Sequence, residues 1–177
     1  RRVWKINRSN MTKVAESADY GGTIRALAFD GTYLYVGGRS TNKVWKINRS
    51  NMSKVAESAS YGGYIRALAF DGTHLYAGGE DTNKVWKINR SNMTKVAESA
   101  SYGDYIYALT FDGTYLYAGG RAGRVWKINP SNMSKVAESA SYGDYINALA
   151  FDGTYLYVGG RAGRVWKMTD TVYIREV

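Results

Sequence analysis

The 177 residues are 45% hydrophobic and 14% aromatic, which is ample material for a buried core. Twenty-four Lys and Arg against 15 Asp and Glu give a net charge of +9, but the cations are dispersed, as at Lys43 and Lys46, then Arg49 and Lys54. They read as a solvated basic rim, and no nucleic-acid partner is expected. Cysteine is absent, which excludes a disulfide framework and thiolate metal sites, and no apolar run approaches the roughly 18 to 20 residues of a membrane-spanning helix.

The chain opens on a short strand pattern, Val3-Trp4-Lys5-Ile6, followed by an Asn-rich turn and a half-polar strand, Lys13-Val14-Ala15-Glu16-Ser17. A longer unit then runs over 24–58. Its first strand, Ile24-Arg25-Ala26-Leu27-Ala28-Phe29, is apolar on both faces and is predicted to be innermost. Asp30-Gly31 supplies a hairpin turn into Tyr33-Leu34-Tyr35-Val36, and Gly37-Gly38 closes that strand. A third strand carries Val44-Trp45-Lys46-Ile47, and a fourth, Lys54-Val55-Ala56-Glu57, has the charged character of an outer edge. Leu34 and Val36 share one face, as do Trp45 and Ile47, and these faces are expected to pack against neighbouring units.

The same unit returns over 65–99, 106–139 and 146–177, the last with a divergent final strand, and Val-Trp-Lys recurs at Trp4, Trp45, Trp86, Trp126 and Trp166 with spacings of 41, 41, 40 and 40 residues. A period near 40 marks a repeat architecture. No stretch has the apolar spacing of a helix. The prediction is an all-β fold, a β-propeller of near-identical four-stranded antiparallel blades forming one domain over 1–177. It has four full blades plus an N-terminal half blade over 3–17. One outer hairpin is therefore surplus. It either peels away, pairs with strands upstream of Arg1 in a longer chain, or completes a sheet in a neighbouring molecule.

The Gly-Gly pairs at Gly37-Gly38, Gly78-Gly79, Gly119-Gly120 and Gly159-Gly160, each followed by Asn-Met-Thr/Ser-Lys-Val-Ala in the first three units, resemble kelch repeats. Met11, Met52, Met93 and Met133 stand where kelch blades would carry Trp. Phe-Asp-Gly-Thr-Tyr-Leu-Tyr-Val is similar to the repeats of bacterial and archaeal surface-layer propellers. The resemblance implies the propeller class and transfers no family activity.

No catalytic site, cofactor or metal site is expected. Asp30, Asp71, Asp112 and Asp152 fit hairpin turns, Glu16, Glu57, Glu98 and Glu138 are spread over outer strands, and His74 is the single His. Positions where the copies differ are more informative. Arg25, Arg66, Tyr107 and Asn147 are predicted to gather at one mouth of the central channel, beside Tyr64, Tyr105 and Tyr145 and the loop residues Tyr20, Tyr61, Tyr102 and Tyr142. Together they are candidates for a surface that binds sugars or peptides. Asn7, Asn10, Asn48, Asn51, Asn89, Asn92 and Asn132 fit the N-glycosylation rule and point to an extracellular or cell-surface location. The sequence favours a non-catalytic structural propeller that assembles with itself through strand exchange of the surplus hairpin, as an oligomer or filament. The alternatives are a multivalent lectin-like module and an engineered or recently amplified propeller without an evolved ligand.

Overall fold

The computed structural model describes residues 1–168; the expected last strand, Val172 to Val177, lies outside the described residues. All regular structure among them is β. Strands β1 (Trp4–Ile6) and β2 (Lys13–Glu16) form a separate hairpin. Three four-stranded sheets follow: β3 (Ile24–Phe29), β4 (Tyr33–Gly38), β5 (Trp45–Asn48) and β6 (Lys54–Glu57); β7 (Ile65–Phe70), β8 (His74–Gly79), β9 (Trp86–Asn89) and β10 (Lys95–Glu98); and β11 (Ile106–Phe111), β12 (Leu116–Gly120), β13 (Val125–Ile128) and β14 (Lys135–Glu138). The last sheet holds β15 (Ile146–Phe151), β16 (Leu156–Gly160) and β17 (Val165–Met168). Each sheet is an antiparallel meander in chain order, the arrangement of a propeller blade.

Local chemistry explains the turns. Asp30 Oδ1 accepts bonds from the backbone N–H groups of Thr32 (2.8 Å) and Tyr33 (2.6 Å), while Gly31 takes φ +91°, which an L side chain rarely adopts. The same turn is rebuilt at Asp71, Asp112 and Asp152. In the turn between third and fourth strands Met52 N–H donates to Asn48 O at 2.8 Å, and Met52 itself is left-handed at φ 60°. That backbone turns the Met52 side chain inward, where it is 3% exposed. Met93 and Met133 repeat the plug.

The blades stack face to face. Ala26, Tyr35 and Val44 of one blade pack on Ile65, Leu75 and Trp86 of the next, and a matching core joins the second blade to the third. The closest approach is at glycine: a Cβ on Gly78 would lie 2.7 Å from Ile106 Cγ2, so only glycine lets the blades meet there. Innermost strands touch in the order β3, β7, β11, β15. At the two ends the pattern breaks. Leu27 on β3 is 52% exposed, whereas its equivalents Leu68 and Leu109 are 8% and 9% exposed; at the other end Val165 is 73% exposed against 1% for Val44. The expected burial of the first strand on both faces therefore holds for β7 and β11 but not for β3 and β15, because among the described residues each of these has a neighbouring inner hairpin on one side only. The blades form an open arc.

Candidate functional site

Two surfaces come from this arrangement. The first is the concave mouth. Because the second residue of every innermost strand points the same way, Arg25, Arg66, Tyr107 and Asn147 line one groove of about 320 Å³, as the repeat register predicts. Arg66 is held by Glu80, its Nε donating to Oε1 at 2.5 Å. The Arg66 guanidinium also lies 5.3 Å from the Tyr107 ring centre, and Tyr107 in turn packs near Tyr105 and Tyr145 at 6.3 and 6.2 Å. Arg39 covers Tyr64 at 4.7 Å, and Arg121 lies between Tyr105 and Tyr145 at 5.4 and 5.8 Å. Burial pushes the Tyr107 hydroxyl above its ordinary pKa. The mouth thus brings guanidinium and phenol groups together.

The loop tyrosines do not belong to that cluster. Tyr20 and Tyr61, expected on the recognition surface, are 1% and 2% exposed. Tyr20 stands edge-on to Trp45 at 5.0 Å and its hydroxyl donates to Lys43 O at 2.6 Å; Tyr61 packs on Trp86 at 5.1 Å and donates to Lys84 O. Tyr102 and Tyr142 are half-buried on Trp126 and Trp166. All four brace the loop against the Trp of the third strand; Tyr20 and Tyr61 add a hydrogen bond from the hydroxyl and are fully interior. The signal was present: each Tyr precedes its blade at a fixed distance and never varies, unlike the mouth positions.

The second surface is the pair of end faces. On the front of the arc β1–β2 sits in the place of a preceding blade's outer strands: Val3 is buried with Val36 and Trp45, and Lys5 Nζ donates to Arg49 O at 3.2 Å, as Lys46 does to Arg90 O at 2.7 Å. A groove of about 470 Å³ opens between Trp4 and Lys5 and the blade behind them, reaching Phe29, Leu34, Arg49 and Met52. At the back, Ala148 and Val165 are exposed where the equivalent Ala26 and Val44 are buried.

The carboxylates are committed elsewhere. For Asp30 and Asp71, burial opposes ionisation, but backbone N–H bonds and a Tyr hydroxyl (Tyr35 to Asp30 at 2.8 Å, Tyr76 to Asp71 at 2.6 Å) hold both below the usual carboxylate range. Glu57 is flanked by Lys43 Nζ at 2.5 Å and Lys54 Nζ at 3.0 Å, Glu98 is held the same way by Lys84 and Lys95, and Glu138 is held by Arg124 and Lys135. Burial and nearby Lys87 lower the His74 pKa, and its Nδ1 is 3.9 Å from Asp71 Oδ2. Among the described residues no three His, Cys, Asp or Glu converge on a metal-sized site. The sequon residues Asn7, Asn10, Asn51, Asn92 and Asn132 are exposed, and Asn48 and Asn89 half-buried, on the turns to the outer strands.

No family model and no curated protein matches this chain. Among solved structures it is similar to the computationally designed Ika4 protein at 16% identity with a TM-score of 0.78, over 86% of this chain and 94% of that one. It is also similar to the computationally designed Ika8 protein at 15% identity with a TM-score of 0.79, over 93% of this chain and 51% of that one, so the chain spans about half the length of Ika8. These likenesses show a shared fold.

Proposed function

We propose that this chain is a non-catalytic propeller scaffold, produced by amplification or engineering of one blade and without an evolved small-molecule ligand, whose activity is association with copies of itself. The observation that carries the reading is the exposure of the end faces: Leu27 is 52% exposed where Leu68, in the same position of the next blade, is 8% exposed. An apolar face repeated identically along the chain, and covered at every internal position by the next blade, is most economically covered at the ends by another blade of the same kind. The shared fold with computationally designed proteins supports the amplified or engineered origin. Carboxylates held by turns and lysines support the absence of acid and base work. Light scattering on a size-exclusion column over a concentration series is the test. A mass above the 19.7 kDa of one chain is expected, and one chain at every concentration refutes the reading.

The second reading is a sugar- or peptide-binding mouth, favoured by the groove that Arg25, Arg66, Tyr107 and Asn147 line. A glycan array answers it: saturable binding removed by Tyr107→Ala supports it, and a blank array rejects it for sugars.

A further inference from the structure

We propose that two copies of this 177-residue chain close into a ring of eight blades, in which β15 and β16 of each copy combine with β1 and β2 of the other to make a shared blade. This rests on the self-association reading and names the surfaces that meet.

The internal joints are the template. At each, a glycine of the second strand meets an isoleucine of the following blade: a Cβ on Gly37 would lie 2.5 Å from Ile65 Cγ2, on Gly78 2.7 Å from Ile106 Cγ2, and on Gly119 2.6 Å from Ile146 Cγ2. Gly159 is the fourth of the series, yet a Cβ there would meet nothing nearer than Ala148 Cβ at 3.6 Å. Ile24 is the isoleucine of the first blade, with no inner strand in front of it among the described residues. Ile24 of a second copy completes the contact at Gly159.

The groove before the first blade has the form of the missing hairpin. At the next joint the corresponding space holds Ala28 and Tyr35, which pack with Leu75 and Met93. The β15–β16 hairpin carries the same residues as Ala150 and Tyr157, already arranged, with the Tyr157 hydroxyl donating to Asp152 Oδ2 at 2.8 Å as Tyr35 does to Asp30 at 2.8 Å. Charge agrees. Arg90 lies 5.8 Å from the Phe70 ring centre and 3.3 Å from Asp30 of the preceding blade. Arg49 holds the same pose over Phe29 at 5.7 Å, and Asp152 of the second copy supplies its carboxylate.

The outer half fits equally. Trp4, Ile6 and Met11 are 61%, 47% and 73% exposed, whereas Trp45, Ile47 and Met52 are 9%, 1% and 3% exposed. Paired to β16 of the second copy in the register that every blade uses, with Trp4 opposite Val158 as Trp45 is opposite Val36, the hairpin lays this face on Tyr117 and Val125. It takes the place of β17. That strand gives way because its sheet has three strands among the described residues, and the sequence after Met168 lacks the Asn-x-Ser-Asn-Met turn that anchors every other outer hairpin. Three whole blades and one shared blade per copy give eight in all. The two joints are identical and close the ring without leaving an open end face, and an arc that overlays on about half of Ika8 leaves room for a second arc.

Gly159→Leu tests the joint, because its side chain has space in the open arc and none in the ring. Light scattering of the unaltered chain is expected to give twice 19.7 kDa. Gly159→Leu is expected to keep its circular dichroism and its cooperative melt, while the dissociation constant rises by roughly 100-fold or more, since both joints carry the clash. A second variant, Trp4→Cys with Val158→Cys, reports the register, as the chain has no cysteine of its own. Oxidation is expected to link the two chains covalently. An unaltered chain that stays single overturns the self-association reading itself. Association that survives Gly159→Leu leaves that reading standing and overturns this joint. A two-chain species that never forms the disulfide overturns the shared blade, and rings of other size or filaments overturn the closure at two copies.

Discussion

Replacing Asp71 by Ala removes the acceptor at the centre of a hairpin turn, and the structure sets the size of the effect. Asp71 accepts from the backbone N–H groups of Thr73 (2.7 Å) and His74 (2.6 Å) and from the Tyr76 hydroxyl (2.6 Å), and its side chain is 11% exposed. Tyr76 is fully buried between blades, so its hydroxyl gains no water when the carboxylate goes. A hydrogen bond to a charged group contributes about 1.5–3 kcal/mol, and an unsatisfied buried donor costs about 1–3 kcal/mol. The three bonds share one carboxylate and do not add, which puts Asp71→Ala at about 3 kcal/mol. Tyr76→Phe, which removes the donor and leaves the turn intact, should cost about 1.5–3 kcal/mol, the range for a bond to a charged group. Urea titrations followed by circular dichroism, with the double variant closing the cycle, give the coupling directly. A loss below about 0.5 kcal/mol for Asp71→Ala would refute the assignment of this residue to the turn and reopen a chemical role for the aspartates.

Gly78→Ala should destabilise by about 1–3 kcal/mol in a urea titration, since the new Cβ meets a β-branched, fully buried Ile106 at 2.7 Å. The Tyr61 hydroxyl is pushed up to about 12 by burial, above its unfolded value near ~10. Its contribution to stability is therefore complete below pH ~10 and lost as pH rises from there through about 12. Urea midpoints at successive alkaline pH values, with tyrosinate absorbance beside them, check this. Asp30 and Asp71 are depressed, so their contribution is present above pH ~4 and lost as pH falls through the folded values, which thermal melts in acid will show. Lys54→Ala, which breaks a solvent-facing pair with Glu57, should change the unfolding free energy from urea titration by no more than about 1 kcal/mol.

Strand order, turn positions and the four-fold meander were legible because their signals are local: Asp30-Gly31 and the Trp45 phrase each act within a few residues. The gathering of Arg25, Arg66, Tyr107 and Asn147 was legible for another reason, since equal positions in stacked repeats must converge. The burial of Tyr20 was legible only in its invariance among the copies, because its partner Trp45 lies 25 residues on and a loop tyrosine next to glycine looks the same whether it faces water or tryptophan. The Arg90 to Asp30 pair crosses 60 positions and two blades, and nothing in either neighbourhood announces it. The open arc was hidden most deeply. Leu27 and Leu68 sit in identical sequence, and they differ only in whether an inner strand stands before them.

Hydrogen exchange of the β3 amides, compared with those of β7 at rising protein concentration, tests most directly whether the end faces are assembly faces. The account predicts that Ile24–Phe29 exchanges quickly in dilute solution and approaches the protection of Ile65–Phe70 as chains associate. Protection of β3 that is low and unchanged at every concentration would contradict it.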